Sequence, residues 1–148
     1  MVNLNIPEQN IEIKIINSKN YIFDLIRKKH LVLTPEEWVR QNLVSYFIND
    51  LHYPKGLIKT ESSLKYNNLK KRSDILIYNN DMTHFMIVEC KSYKMKLNKS
   101  HLNQSAMYNK IYRGRYLMVS NGMEHIVCEY DWENETFKFR NSIPEFGN

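Results

Sequence analysis

A chain of 148 residues, 43% hydrophobic and 25% charged with only four Gly and four Pro, is long enough to bury one core. It is too short to carry a nuclease joined to a motor, and its composition excludes disordered and collagen-like classes. The net charge of +5 points toward a polyanionic partner.

The charge is unevenly placed. Six basic and six acidic residues cancel between Met1 and Pro54, Lys55 to Arg115 carries +9, and Tyr116 to Asn148 carries −4. Ser92 to Arg115 holds six basic residues and no acid, with Tyr93, Tyr108 and Tyr112 interleaved. Alone, such a run reads as a solvated helix face. Met1 to Gln9 lacks the basic and apolar blocks of a secretory signal, and no apolar run approaches the roughly 20 residues of a membrane span. Cys90 and Cys128 sit in apolar stretches, as buried reduced thiols do. The expectation is one soluble, cytoplasmic domain over 1–148.

In chain order, Ile11 to Phe23 alternates weakly and predicts a hairpin or edge addition. Thr34-Pro35-Glu36-Glu37 starts a helix, with Thr34 as cap, Pro35 in the first turn and Glu37 closing a capping box. That helix runs to about Leu51, with Val39, Leu43, Val44, Phe47, Ile48 and Leu51 on one apolar face. Three strands follow over Leu57–Tyr66, Arg72–Tyr78 and His84–Lys91, with turns at Asn67-Asn68 and Asn79-Asn80-Asp81. A second helix is expected from about Asn98 to Tyr112, with Leu102, Ala106 and Ile111 turned inward. A strand over Arg115–Ser120 stops at Asn121-Gly122. A final hairpin joins Glu124–Tyr130 to Thr136–Arg140.

The third strand of the three carries the chemistry. Alternation puts Phe85, Ile87, Glu89 and Lys91 on one face, and Met86, Val88 and Cys90 on the other. Asp74 likewise interrupts the apolar run SDILIY. If the two strands pair, Asp74 and Glu89 come within reach of one divalent cation, with Lys91 beside them. Hard carboxylate oxygens suit Mg²⁺, and an ammonium there can orient water or offset developing charge. Without a cation the two carboxylates would repel and strain the empty site. Glu-x-Lys alone means little, since Glu12-Ile13-Lys14 repeats it; the combination with an upstream Asp strand is specific.

These residues resemble the PD-(D/E)XK nuclease superfamily, and within it the N-terminal nuclease domain of type I restriction enzyme R (HsdR) subunits. The likeness rests on RKKHLVLTPEEWVRQN, LKKRSDILIY, MIVECKSYKMKL, LNQSAMYN and YLMVSNG, from Arg27 to Gly122. It implies an α/β (α+β) restriction-endonuclease-like core over about 34–122, ordered helix, three strands, helix, strand, with an added N-terminal strand pair and C-terminal hairpin. By resemblance, Asp74 and Glu89 are metal-binding carboxylates and Lys91 the catalytic lysine. Glu37 resembles an acidic residue that some branches add to the metal site, sixteen residues before Tyr53; the alternative is a capping-box acid. Gln104 and Tyr108 resemble the branch's Q-x-x-x-Y signature beside the active site and nucleic acid, the alternative being plain helix-face residues. Cys90 reads as core, with its backbone carbonyl near the metal. Lys71, Arg72, Lys94 and Lys96 join Tyr108 as candidate nucleic-acid contacts.

Ser73 stands where the family has proline. Gly56 to Thr60 is no P-loop, so no ATP site is expected. The five histidines lack zinc spacing, and Trp38 and Trp132 read as packing residues. The resemblance implies a Mg²⁺-dependent endonuclease, with Mn²⁺ as substitute, acting on DNA beside a separate helicase or restriction-system subunit. A homodimer stays open, as do RNA as substrate and a non-catalytic nucleic-acid-binding module on the same scaffold.

Overall fold

The computed structural model describes residues 1–66 and 69–147, the side chains of 61–66 and 69–73 excepted. Two sheets and two helices form among the described residues. The first sheet is antiparallel in the order β1 (Ile13–Ile16), β2 (Lys19–Asp24), β3 (Lys29–Val32). The expected N-terminal strand pair is therefore three strands in a sheet of their own. Lys29 to Val32 was hidden because its two ends are exposed and its middle only half-buried, leaving no clean alternation.

Helix α1 (Pro35–Asn49) follows, capped by Thr34, whose Oγ1 accepts from the Glu37 N–H at 3.0 Å. The Glu37 side chain does not complete a capping box. Its carboxylate accepts from Arg40 and from Gln41 Nε2 instead. A short 3₁₀ turn, Lys55–Leu57, then leads into a six-stranded sheet: β4 (Ile58–Tyr66), β5 (Leu69–Tyr78), β6 (His84–Cys90), β7 (Tyr116–Ser120), β8 (His125–Asp131) and β9 (Thr136–Arg140), in sequence order. Every neighbour is antiparallel except β6 and β7. A parallel pair needs a long crossover, and α2 (Lys99–Tyr112) supplies it.

Each helix covers one face of this sheet. Val39, Leu43, Val44 and Phe47 of α1 pack on Ile75, Ile77, Met86, Val88, Cys90 and Met118. On the opposite face Leu102, Ala106 and Tyr112 of α2 pack on Leu76, Ile87, Leu117 and Cys128. Ile111 is exposed, against expectation, and the buried α2 residues are Ser105 and Asn109, of which Asn109 is wholly buried. Its amide closes the helix end, accepting from the Gly114 N–H at 2.8 Å and donating to the Gly114 carbonyl at 3.2 Å. Cys90 and Cys128 are buried and free. At Gly122, φ is +84°, a left-handed conformation that favours glycine, and the Leu4 side chain packs over the turn. No described helix is long and apolar enough to cross a membrane.

Asp24, fully buried, ties the small sheet to the large one. Its Oδ1 accepts from the Ile26 and Arg27 N–H groups, while Oδ2 accepts from Arg27 Nε and from Thr60 Oγ1 on β4. Burial alone would raise its pKa, but these donors and the Arg27 charge hold it below the ordinary value. The stabilisation is therefore complete above pH 3.8 and is lost as pH falls through the still lower folded-state value. Asp24→Asn should cost about 1–3 kcal/mol in urea denaturation at pH 7. Its stability should also fall less steeply below pH 4 than that of the wild type.

Candidate active site

The antiparallel ladder of β5 and β6 builds the site. Ile75 pairs with Val88, Leu76 with Ile87 and Ile77 with Met86. One step further along the same register sets Asp74 opposite Glu89, where cross-strand side chains stand about 5 Å apart at Cβ. Apolar residues fill the ladder behind them, so the two carboxylates emerge where the core ends, each only 9% exposed. The Lys91 N–H donates to the Ser120 carbonyl at 2.8 Å, which holds the end of β6 against β7.

Both carboxylates already have cationic partners. Arg40 Nη2 donates to Asp74 Oδ1 at 2.7 Å, and the Cys90 N–H donates to Asp74 Oδ2 at 2.7 Å. Arg40 Nη1 also pairs with Glu37 Oε1, and Gln41 Nε2 donates to Glu37 Oε2 at 2.8 Å. Lys91 Nζ lies 3.0 Å from Glu89 Oε1. The repulsion expected of an empty carboxylate pair is thus offset at Asp74 and Glu89 by the charges of Arg40 and Lys91. Arg40 was invisible as a site residue, since an arginine in a helix ordinarily reads as surface.

Glu36 completes the mouth of the site. Its Oε2 lies 3.8 Å from Arg40 Nη2, with the side chain about half exposed. Burial, then the charges of Asp74 and Glu89, raise its carboxyl above the ordinary value even though Arg40 and Lys91 pull the other way. Among the described residues, Glu36, Glu37, Asp74 and Glu89 bring four carboxylates together with the cations of Arg40 and Lys91, and carboxylate oxygens are the donors Mg²⁺ takes. Among the described residues no three His, Cys, Asp or Glu side chains converge as a ready-made metal site.

Lys91 is the cation beside the carboxylates. Burial would lower its pKa, but Glu89 and then Asp74 outweigh that and hold the ammonium above its ordinary value. The Cys90 thiol, wholly buried on the α1 side, is pushed well above its ordinary value by burial and then by Asp74, so it is inert. The Cys90 backbone, by contrast, touches the site through its N–H.

The remaining predicted residues lie around this centre. Lys94 and Lys96 are exposed on the loop between β6 and α2, which Asn121 Nδ2 fastens by donating to the Met95 carbonyl at 2.8 Å. Gln104 is exposed and Tyr108 half-buried, one turn apart on α2. The side chains of Lys71 and Arg72, and the turn Asn67-Asn68, lie outside those described. Trp38 and Trp132 act as packing residues, each donating its indole N–H to a backbone carbonyl, of Val2 and Gly114 respectively.

A mixed sheet covered by a helix on each face, with Asp and Glu-x-Lys meeting at the end of two paired strands, is the architecture of a restriction-type nuclease-like domain. Residues 35–144 match the family described as type I restriction enzyme R protein N terminus (HSDR_N), and the chain belongs to that family. Among solved structures it is similar in fold to a fragment described as an HsdR subunit of a type I restriction enzyme from Vibrio vulnificus YJ016. That likeness has a TM-score of 0.53 at 17% sequence identity, over 76% of this chain and 24% of the other. The chain therefore spans about a quarter of that protein's length. No curated protein sequence matches it.

The pairing with Arg40 reverses the expected effect of cutting away Asp74. Removing that carboxylate relieves no repulsion; it takes acceptors from a buried guanidinium and a buried N–H. Metal-free Asp74→Ala should be less stable than wild type by about 1–3 kcal/mol, read from urea midpoints at constant m.

Proposed function

We propose that this domain is a divalent-metal-dependent deoxyribonuclease that hydrolyses phosphodiester bonds, working beside a separate motor or restriction-system subunit. The observation that supports the reading is the end of the β5–β6 ladder: beyond the Ile75–Val88 pair, Asp74 accepts from the Cys90 N–H and Lys91 pairs with Glu89. Asp74 and Glu89 would hold Mg²⁺ or Mn²⁺, with Glu37 joined to them through Arg40 and the Cys90 backbone alongside. When bound, such an ion supplies an acidified water and stabilises charge on the phosphoryl oxygens.

The protein's own groups do the rest. The Lys91 ammonium, which stays protonated beside Glu89, is placed to orient a water or offset charge on the scissile phosphate. Exposed Lys94 and Lys96 offer phosphate contacts at the mouth of the site, and Gln104 and Tyr108 offer a polar, aromatic face on the helix that follows. One observation favours a non-catalytic nucleic-acid-binding module instead: both carboxylates are internally paired with cations.

The deciding experiment is a Mg²⁺ and Mn²⁺ titration against plasmid, linear duplex and single-stranded DNA, with variants. Asp74→Ala and Glu89→Ala should lose both cleavage and metal-induced thermal stabilisation. Lys91→Ala should keep most of the stabilisation while cleavage falls by about 10²-fold or more, because its ammonium acts mainly in the transition state. Wild-type cleavage by all three variants would rule the nuclease out; DNA binding without cleavage under any metal would favour the binding module.

Two further outcomes follow from the substrate surface. DNA affinity should fall steeply between about 50 and 200 mM salt through counterion release, with little sequence preference. Gln104→Ala should weaken cleavage with an unchanged melting temperature, as expected of an exposed side chain. A variant that melts early and cleaves normally per folded molecule would make Gln104 structural.

A further inference from the structure

Arg40 is the unexpected member of the site. Its side chain is 5% exposed, sits on the second turn of α1 and bridges Glu37 to Asp74, with Glu36 at 3.8 Å. A guanidinium does not lose its proton, so this is a permanent cation. It is also cradled, because the Glu37 carboxylate that pairs with it is itself held by Gln41 Nε2. Asp74 meanwhile has donors on both oxygens, Arg40 on Oδ1 and the Cys90 N–H on Oδ2. An ion approaching Asp74 therefore meets a carboxylate whose charge is already partly spent.

We propose that Arg40 is a built-in stand-in for the divalent ion, holding Asp74 and Glu37 together in the metal-free protein and weakening metal binding by competing for Asp74. The inference rests on the metal-dependent reading above and adds a residue to it. Two effects of opposite sign meet at one side chain. Arg40 stabilises the empty site by supplying charge where buried carboxylates gather, and it opposes the filled site because like charges close together repel. A packing strut would show the first effect without the second. Arg40 is a positioning residue in this scheme and touches no substrate.

The scheme is tested by calorimetric titration with Mn²⁺ or Mg²⁺ alone and by melting curves with and without the metal. The proteins are wild type, Arg40→Gln and Arg40→Lys, with no DNA present. Metal-free Arg40→Gln should melt several degrees lower, bind the ion at least about tenfold more tightly, and regain more thermal stability on metal addition than wild type does. Arg40→Lys keeps the charge but loses the two-point fork. It should fold close to wild type and gain affinity by a smaller, severalfold factor, which decides the matter even if Arg40→Gln does not fold. If wild type binds the ion and the folded variants bind it no more tightly, Arg40 is a strut; the inference falls while the metal-dependent reading stands. If wild type and the folded variants all bind no cation, the metal-dependent reading falls and takes the inference with it.

Discussion

The ion pair between Arg40 on α1 and Asp74 on β5 joins the first helix to the sheet where the apolar core runs out. Everything below it is ordinary packing: Val39, Leu43, Val44 and Phe47 lie on Ile75, Ile77, Met86 and Val88. At the level of Asp74 the same layer interface continues, but in charge. Burying charge is costly unless it is paired and hydrogen-bonded. Here Glu37, Arg40, Asp74 and the Cys90 N–H pair with one another across three elements, although among the described residues the buried Arg40 Nε has no hydrogen-bond partner. The site is thus an extension of the core in different chemistry, held by the same helix and the same strands.

Much of this was legible in the sequence because strong local signals agreed with the global fold. Thr34-Pro35 marks the start of α1, Asn98 caps α2, and β6 and β7 are short apolar runs. The apolar half of β5 (residues 75–78) is bounded by a turn, though β5 begins at Leu69, three residues before the expected Arg72. The interruption of two such runs by Asp74 and Glu89 is visible because an acid is costly in a buried strand. The register that sets them face to face was less legible, because the ladder shifts at a β-bulge between Ile77 and Tyr78 just beyond the Tyr78–His84 pair at the turn. The third N-terminal strand was illegible because its segment has neither alternation nor a buried face.

Arg40 was missed for a different reason. On α1 the stripe that carries Val44 and Phe47 inward continues back, one turn at a time, through Arg40, Gln41 and Glu37. Read as hydropathy, the apolar face simply ends there. Read as geometry, the face goes on, and three polar side chains pointing at a core must answer one another or some buried partner. A helix whose buried stripe turns polar near its N-terminus was the available signal, and it points to the sheet residue that needs a counter-charge.

The same accounting sharpens where phosphate would be met. Counted along the chain, Lys55 to Arg115 is strongly basic and the rest is neutral or acidic. In three dimensions some of those charges are already engaged. Arg115 lies 3.0 Å from Glu129, which also receives Arg140 at 2.8 Å and Lys138 at 3.7 Å. Burial would raise Glu129, yet these cations hold it below its ordinary value, so the acid is tightly neutralised. Lys91 is likewise committed to Glu89. Lys94, Lys96 and Lys99 differ, being exposed on one short stretch that leaves the end of β6 and enters α2. The backbone there is anchored at Met95 by Asn121, so Lys94 and Lys96 flank a fastened point on the chain that leaves the Lys91 end of β6. Under the nucleic-acid reading proposed above, these lysines rather than Arg115 are the side chains that would meet phosphate.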